Sequence, residues 1–135
     1  MQFKKTLFLF FGNPVVRGDE LALSLIEPLS RAFPEHEFAE GNVDELGELA
    51  RERELVLIDV VKGIGRVTVF EDVDAFAEAP RITMHDADLG TELKLLEKAE
   101  MLGKIRVIGI PWGYPEKKAL QEVEREVEKI ISAKS

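Results

Sequence analysis

Three short segments of this chain hold residue types that could act together on one substrate. The first is Gly12-Asn13-Pro14-Val15-Val16-Arg17-Gly18-Asp19-Glu20, a turn-rich stretch that ends in two acids. The second is Asp59, the charge that ends the apolar run Leu55-Val56-Leu57-Ile58. The third is His85, set in Thr83-Met84-His85-Asp86-Ala87-Asp88-Leu89-Gly90. Two carboxylates and an imidazole supply oxygen and nitrogen donors, a set that suits a borderline divalent ion such as nickel or zinc. Such a set leaves coordination positions open, as a metal arriving on a substrate requires. Each residue also has a plainer role. Acids cap helix N-termini, where the macrodipole favours negative charge; Asp59 could cap a turn with Gly63; a histidine ahead of a helix often caps or packs. A carboxylate ending a buried strand must be solvated, paired or metal-bound, because an isolated buried charge is costly. His36, in a charged segment between Pro34 and Phe38, is the weaker histidine. The first loop lacks the glycine spacings of phosphate-binding loops, and its two acids would repel phosphate.

The elements that must position these residues follow from hydrophobic pattern. Lys5 to Phe11 is an apolar run ended by Gly12, which predicts a strand buried on both faces. From Asp19, a possible N-cap, Leu21, Leu25, Ile26 and Leu29 recur at helical spacing, with Pro28 expected to kink the helix. His36 to Ala39 predicts a short strand, Val43 to Arg51 a short helix, and Leu55 to Val61 a second fully buried strand. After the turn Lys62-Gly63-Ile64-Gly65, Arg66 to Phe70 alternates as a strand at the sheet edge would. An irregular acidic stretch from Asp72 to Ala79 precedes a helix marked by Leu89, Leu93, Leu96 and Met101. Ile105 to Ile110 predicts a further strand, and Pro115 opens a last helix with Leu120, Val123, Val127, Ile130 and Ile131 on its apolar face. Strands alternating with helices predict an α/β fold, a three-layer α/β/α sandwich around an open, mostly parallel twisted sheet. Such sheets bind ligands beyond the carboxyl ends of their strands. Here those ends are Gly12 to Glu20, Asp59 to Lys62 and Ile110 to Tyr114, so the candidate residues are expected at loop ends and not in packed faces. Trp112 and Tyr114, at the same edge, fit either a cover for the last helix or a platform for a partner.

Composition narrows the class. With 135 residues, of which 45% are apolar and 33% charged, residues 1–135 suit one globular domain. The absence of cysteine excludes disulfides, a thiolate metal site and a cysteine nucleophile. A formal net charge of −8 argues against nucleic acid or an anionic membrane as partner. No apolar run approaches the roughly 20 residues of a membrane span. The start MQFKKTLFLFFG resembles a short signal peptide, yet no small-residue cleavage motif follows it, so a cytoplasmic location is expected. Amides are scarce (Gln2, Gln121, Asn13, Asn42) beside abundant Glu and Lys, a balance seen in proteins of hot-living organisms.

Gly12-Asn13 followed by Asp19-Glu20, then Asp59, then His85, resembles the hydrogenase maturation endopeptidase family. Its motifs are Gly-Asn with a following acidic pair, an aspartate ending a buried strand, and a histidine opening a late helix. Gly109-Ile110-Pro111 also resembles the family's last-strand ending. The resemblance implies a hydrolase, an aspartic-type endopeptidase that removes the C-terminal extension of a nickel–iron hydrogenase large subunit after nickel insertion and so activates that enzyme. Asp19, Asp59 and His85 would be the catalytic residues and would recognise nickel carried by the substrate, with Glu20 the alternative first ligand. No permanent cofactor is then expected, only adventitious zinc or cadmium. The expected partner is the hydrogenase large-subunit precursor, met by a monomer. A different class remains open: a metal-checkpoint or chaperone module that binds the metallated subunit without cutting it.

Overall fold

The computed structural model of the chain describes residues 6–12, 18, 20–71, 74, 76, 84–98 and 105–133, with the backbone alone for 84–88. Within these residues β1 (Leu7–Phe10), β3 (Leu55–Val61) and β5 (Ile105–Pro111) are buried almost throughout, as uninterrupted apolar runs require when both sheet faces are covered. β2 (Glu37–Glu40) and β4 (Thr68–Phe70) are short and flank them. The described strands form one sheet in the order β2-β1-β3-β5-β4, parallel except for β4, which runs antiparallel to β5. β4 is thus the edge strand that its alternating pattern predicts.

Helices cover both faces. On one, α1 (Leu21–Ser24), α2 (Ile26–Ala32) and α5 (Glu116–Ser132) bring Ala22, Leu25, Leu29, Ala119, Val123, Val127 and Ile130 onto Phe8, Phe10, Val56, Ile58, Val60, Ile108 and Ile110. Phe38 stacks on Phe8 there, with ring centroids 4.8 Å apart. On the other face, α3 (Leu46–Glu52) and α4 (Met84–Lys98) pack Leu46, Ala50, Leu89, Leu93 and Leu96 against Leu7, Leu9, Phe11, Leu55, Leu57, Val61 and Val107. The arrangement is the expected α/β/α sandwich.

Pro28 acts four residues upstream of itself. It has no N–H to give the Ser24 carbonyl and its ring crowds that group. The helix therefore breaks at Leu25, whose N–H bonds back to Ala22 O at 3.1 Å, while the Ser24 hydroxyl donates to Leu21 O at 2.6 Å. Smaller differences from the predicted elements sit at ends. β2 begins at Glu37 instead of His36, β4 at Thr68 instead of Arg66, and a 3₁₀ turn (Val43–Glu45) precedes α3. Lys5 and Met101, assigned above to β1 and α4, lie outside the described residues.

Candidate active site

β1 leads to β2 on one side and its other neighbour is β3, so the connections diverge between β1 and β3. Open parallel sheets hold their ligand crevice at such a divergence, beyond the carboxyl ends of the strands. Asp59 belongs to β3, two residues before its end, and is 0% exposed. The expectation that it sits at a loop end is corrected: it is a strand residue inside a packed face.

Alternation along β3 assigns Asp59 to the face of Leu55, Leu57 and Val61, the face covered by α3 and α4. Its lateral partner on β5 is Gly109. Phe70 lies against Gly109, so close that a methyl group there would come within 3.0 Å of the ring. On the β1 side the ladder extends past Phe10↔Ile58 through Phe11, whose N–H donates to Ile58 O at 2.9 Å. Asp59 thus stands between two aromatic-walled positions, in surroundings that keep bulk water away.

His85 lies in the first turn of α4, the helix packed on that same face. It precedes the buried Leu89 by four residues, about one helical turn. Its side chain is outside the described part of the chain, as is Asp19 entirely. The described neighbours of Asp19 are Gly18 and Glu20. Glu20, not Asp19, occupies the N-cap position of α1; its carbonyl accepts from Ser24 N–H at 3.1 Å, while its exposed carboxylate makes no capping bond. Among the described residues no group of three or more His, Asp or Glu is placed to hold a metal ion.

Next to Gly12, the β2–α3 connection and α4 border an open cavity of about 840 Å³ lined by Glu40, Asn42, Asp44, Glu45, Thr91 and Glu92. Four carboxylates give this part of the carboxyl edge a negative field that favours cationic groups. The sequence reading missed it because its acids come from three elements and share no motif.

Trp112 and Tyr114 divide their roles. The Tyr114 hydroxyl donates to the Glu122 carboxylate of α5 at 2.8 and 2.9 Å, and the Lys118 ammonium lies 5.0 Å from the ring centroid. Loss of water around the half-buried phenol raises its pKa, and the bonded Glu122 carboxylate raises it further. Tyr114 thus covers the last helix. Trp112, 36% exposed, instead packs its ring edge on Gly18 and carries the Lys62 ammonium 5.6 Å from its centroid. Neither Gly18 nor Lys62 stands out in the sequence as more than a turn residue.

No protein-family model matches the chain, and no curated protein matches it in sequence. Solved structures do match. The hydrogenase maturating endopeptidase HybD from E. coli is similar over 93% of each chain, with a TM-score of 0.69 and 18% identity. The endopeptidase HycI from Escherichia coli matches 93% of this chain and 90% of its own, with a TM-score of 0.67 and 22% identity. A hydrogenase 2 maturation peptidase from Thaumarchaeota archaeon SCGC_AB-539-E09 matches 95% and 98%, with a TM-score of 0.57 and 16% identity. The chain has the fold of these endopeptidases, along nearly its whole length.

Proposed function

We propose that this chain is a hydrogenase maturation endopeptidase, which removes the C-terminal extension of a nickel–iron hydrogenase large subunit once nickel has been inserted. The observation that carries the reading is Asp59: a carboxylate wholly inside the sheet, beside the β1–β3 divergence, on the face covered by the helix that opens with His85. A packing role alone would be filled better by an apolar residue, since a carboxylate is costly to bury. Asp59, Asp19 and His85 would engage nickel presented by the precursor, which is cargo of the substrate and not a cofactor of the protease. The bound ion would polarise the scissile carbonyl for attack by water. Without thiolates, and with three protein donors, this is a modest site for a free ion but sufficient for one already held by the precursor. The acidic cavity beside Gly12 would favour the approach of a cationic metal centre. No helix among the described residues is long and apolar enough to cross a membrane. The protease would act as a cytoplasmic monomer on a cytoplasmic precursor.

The test compares apo and nickel-loaded precursor, incubated with the chain and a chelator too weak to strip the substrate. Shortening of the loaded precursor alone is the expected result. A stable complex without shortening would replace the peptidase by a non-cleaving checkpoint, and equal cleavage of both precursors would sink the nickel dependence.

A further inference from the structure

We infer that Trp112 is a positioning residue for the entry to α1 at Gly18 and Glu20, acting through its contact with Gly18. The inference rests on the peptidase reading for its functional consequence and on geometry for its mechanism.

Trp112 is anchored to the sheet. Its N–H donates to Val61 O at 3.1 Å, which carries the β3–β5 ladder one step beyond its last pair, Val61↔Pro111. The indole therefore starts from a point fixed relative to Asp59, two residues before Val61 on β3. At the other end the ring meets Gly18 with no space to spare. A Cβ on Gly18 would lie 3.0 Å from both Cη2 and Cζ2 of the indole and 3.3 Å from Cε2. Gly18 also has φ of +94°, a conformation that side-chain-bearing residues rarely adopt. Two independent constraints thus call for glycine at this position. Lys62, from the turn after β3, places its ammonium over the same ring. Trp112 thereby ties together the loops that follow β1, β3 and β5.

Among the described residues, α1 itself offers Gly18 and Glu20 little further support. α1 is four residues long, its N-cap Glu20 makes no side-chain capping bond, and the helix breaks at Leu25. One helical turn has no stability of its own in water. Glu20 follows Gly18 by two residues, so fixing Gly18 on the indole limits where the Glu20 carboxylate and the start of α1 can stand relative to Asp59. A misplacement of about 1 Å in such a constellation can cost on the order of a hundredfold in rate.

The experiment uses Trp112→Ala, Trp112→Phe and Gly18→Ala in the full chain. With nickel-loaded precursor, Trp112→Ala is expected to lower kcat by about tenfold or more with KM changed less than about twofold, and Trp112→Phe to recover most of the loss. Independently of activity, amide exchange at Gly18, Glu20 and Leu21 should quicken by about tenfold or more in Trp112→Ala, with Val123 and Val127 of α5 unchanged. Because Trp112 is the single tryptophan of the chain, its emission should shift to the red in Gly18→Ala. A rise in KM at unchanged kcat would make Trp112 a docking residue and overturn the inference, as would unchanged exchange at Gly18 and Glu20. If the parent chain cuts neither precursor, the peptidase reading falls, and the exchange and emission results alone decide whether Trp112 holds the entry to α1.

Discussion

Asp59 on β3 lies directly across the parallel ladder from Gly109 on β5, so the neighbour of a fully buried carboxylate is a residue with no side chain. Asp59→Asn keeps the volume of the group, removes its charge and exchanges one acceptor oxygen for an NH2 donor. Processing should fall by about 10²–10⁴-fold, the range of a positioned catalytic group. Circular dichroism and urea unfolding should remain close to the parent. Asp59→Ala is the poorer probe, since it opens space within a packed face and also lowers stability. Unfolding of Asp59→Asn in parallel with its loss of activity would mark the residue as structural.

His85→Ala should abolish cleavage and leave the fold in place. The grip of α4 on the sheet comes from Leu89, Leu93 and Leu96, one turn or more beyond His85. Nickel, zinc or cadmium added to the protein alone should not rescue apo precursor, and the weak binding of these ions should fall further in the variant. Rescue of cleavage by free metal would assign the ion to the protease instead of the substrate.

Gly41 follows β2 directly and lies under the Phe11 ring, where an added Cβ would come within 2.4 Å of Cζ. Gly41→Ala should destabilise the chain by about 1–3 kcal/mol, the usual cost of overpacking a filled core. Urea midpoints would measure it. Phe11→Leu in the Gly41→Ala background should recover part of that loss, a coupling expected only of residues in contact.

Tyr114 is the sole tyrosine, so its alkaline titration can be followed without overlap. Its pKa is raised by loss of water and by the Glu122 carboxylate, which means that the folded state holds the phenolic proton more tightly than the unfolded chain. The stabilising contribution is therefore complete below the ordinary value of 10.0 and is lost as pH rises through the folded-state value. Near-ultraviolet absorbance should show ionisation at higher pH in the folded chain than in urea. Glu122→Gln should move it back down.

Much of this architecture was legible because buried parallel strands announce themselves. β3 was readable from Leu55 to Val61 without error, since six apolar residues around one aspartate fit little else. β2 and β4 were less sharply bounded because edge strands carry Glu37, Glu40 and Thr68 toward solvent and lose the apolar signal at their ends. The helix break was foreseeable from Pro28, though its location depends on the carbonyl four residues earlier. Asp59 was recognisable as a candidate, yet in a strand buried on both faces the apolar pattern cannot say which helix layer covers it. That assignment needs the packing of Leu89 and Leu93 on Leu57 and Val61. The contact of Trp112 with Gly18 spans most of the chain and has no local signature.

The order in which the ribosome delivers these strands bears on when the site exists. β1, β2 and β3 are complete once Val61 has been made, whereas the β3 side that pairs with Gly109 waits for residues some fifty positions later. Closing that long interval is the slow, entropically opposed part of assembling such a sheet. A nascent chain therefore carries Asp59 on an open edge in contact with water, and the indole that meets Gly18 emerges one residue after the closing strand. The Gly109 neighbour of the carboxylate and the contact of the indole with Gly18 thus both wait for β5 and the residue after it, and a chain truncated before Ile105 would retain Asp59 with that side of its strand unpaired.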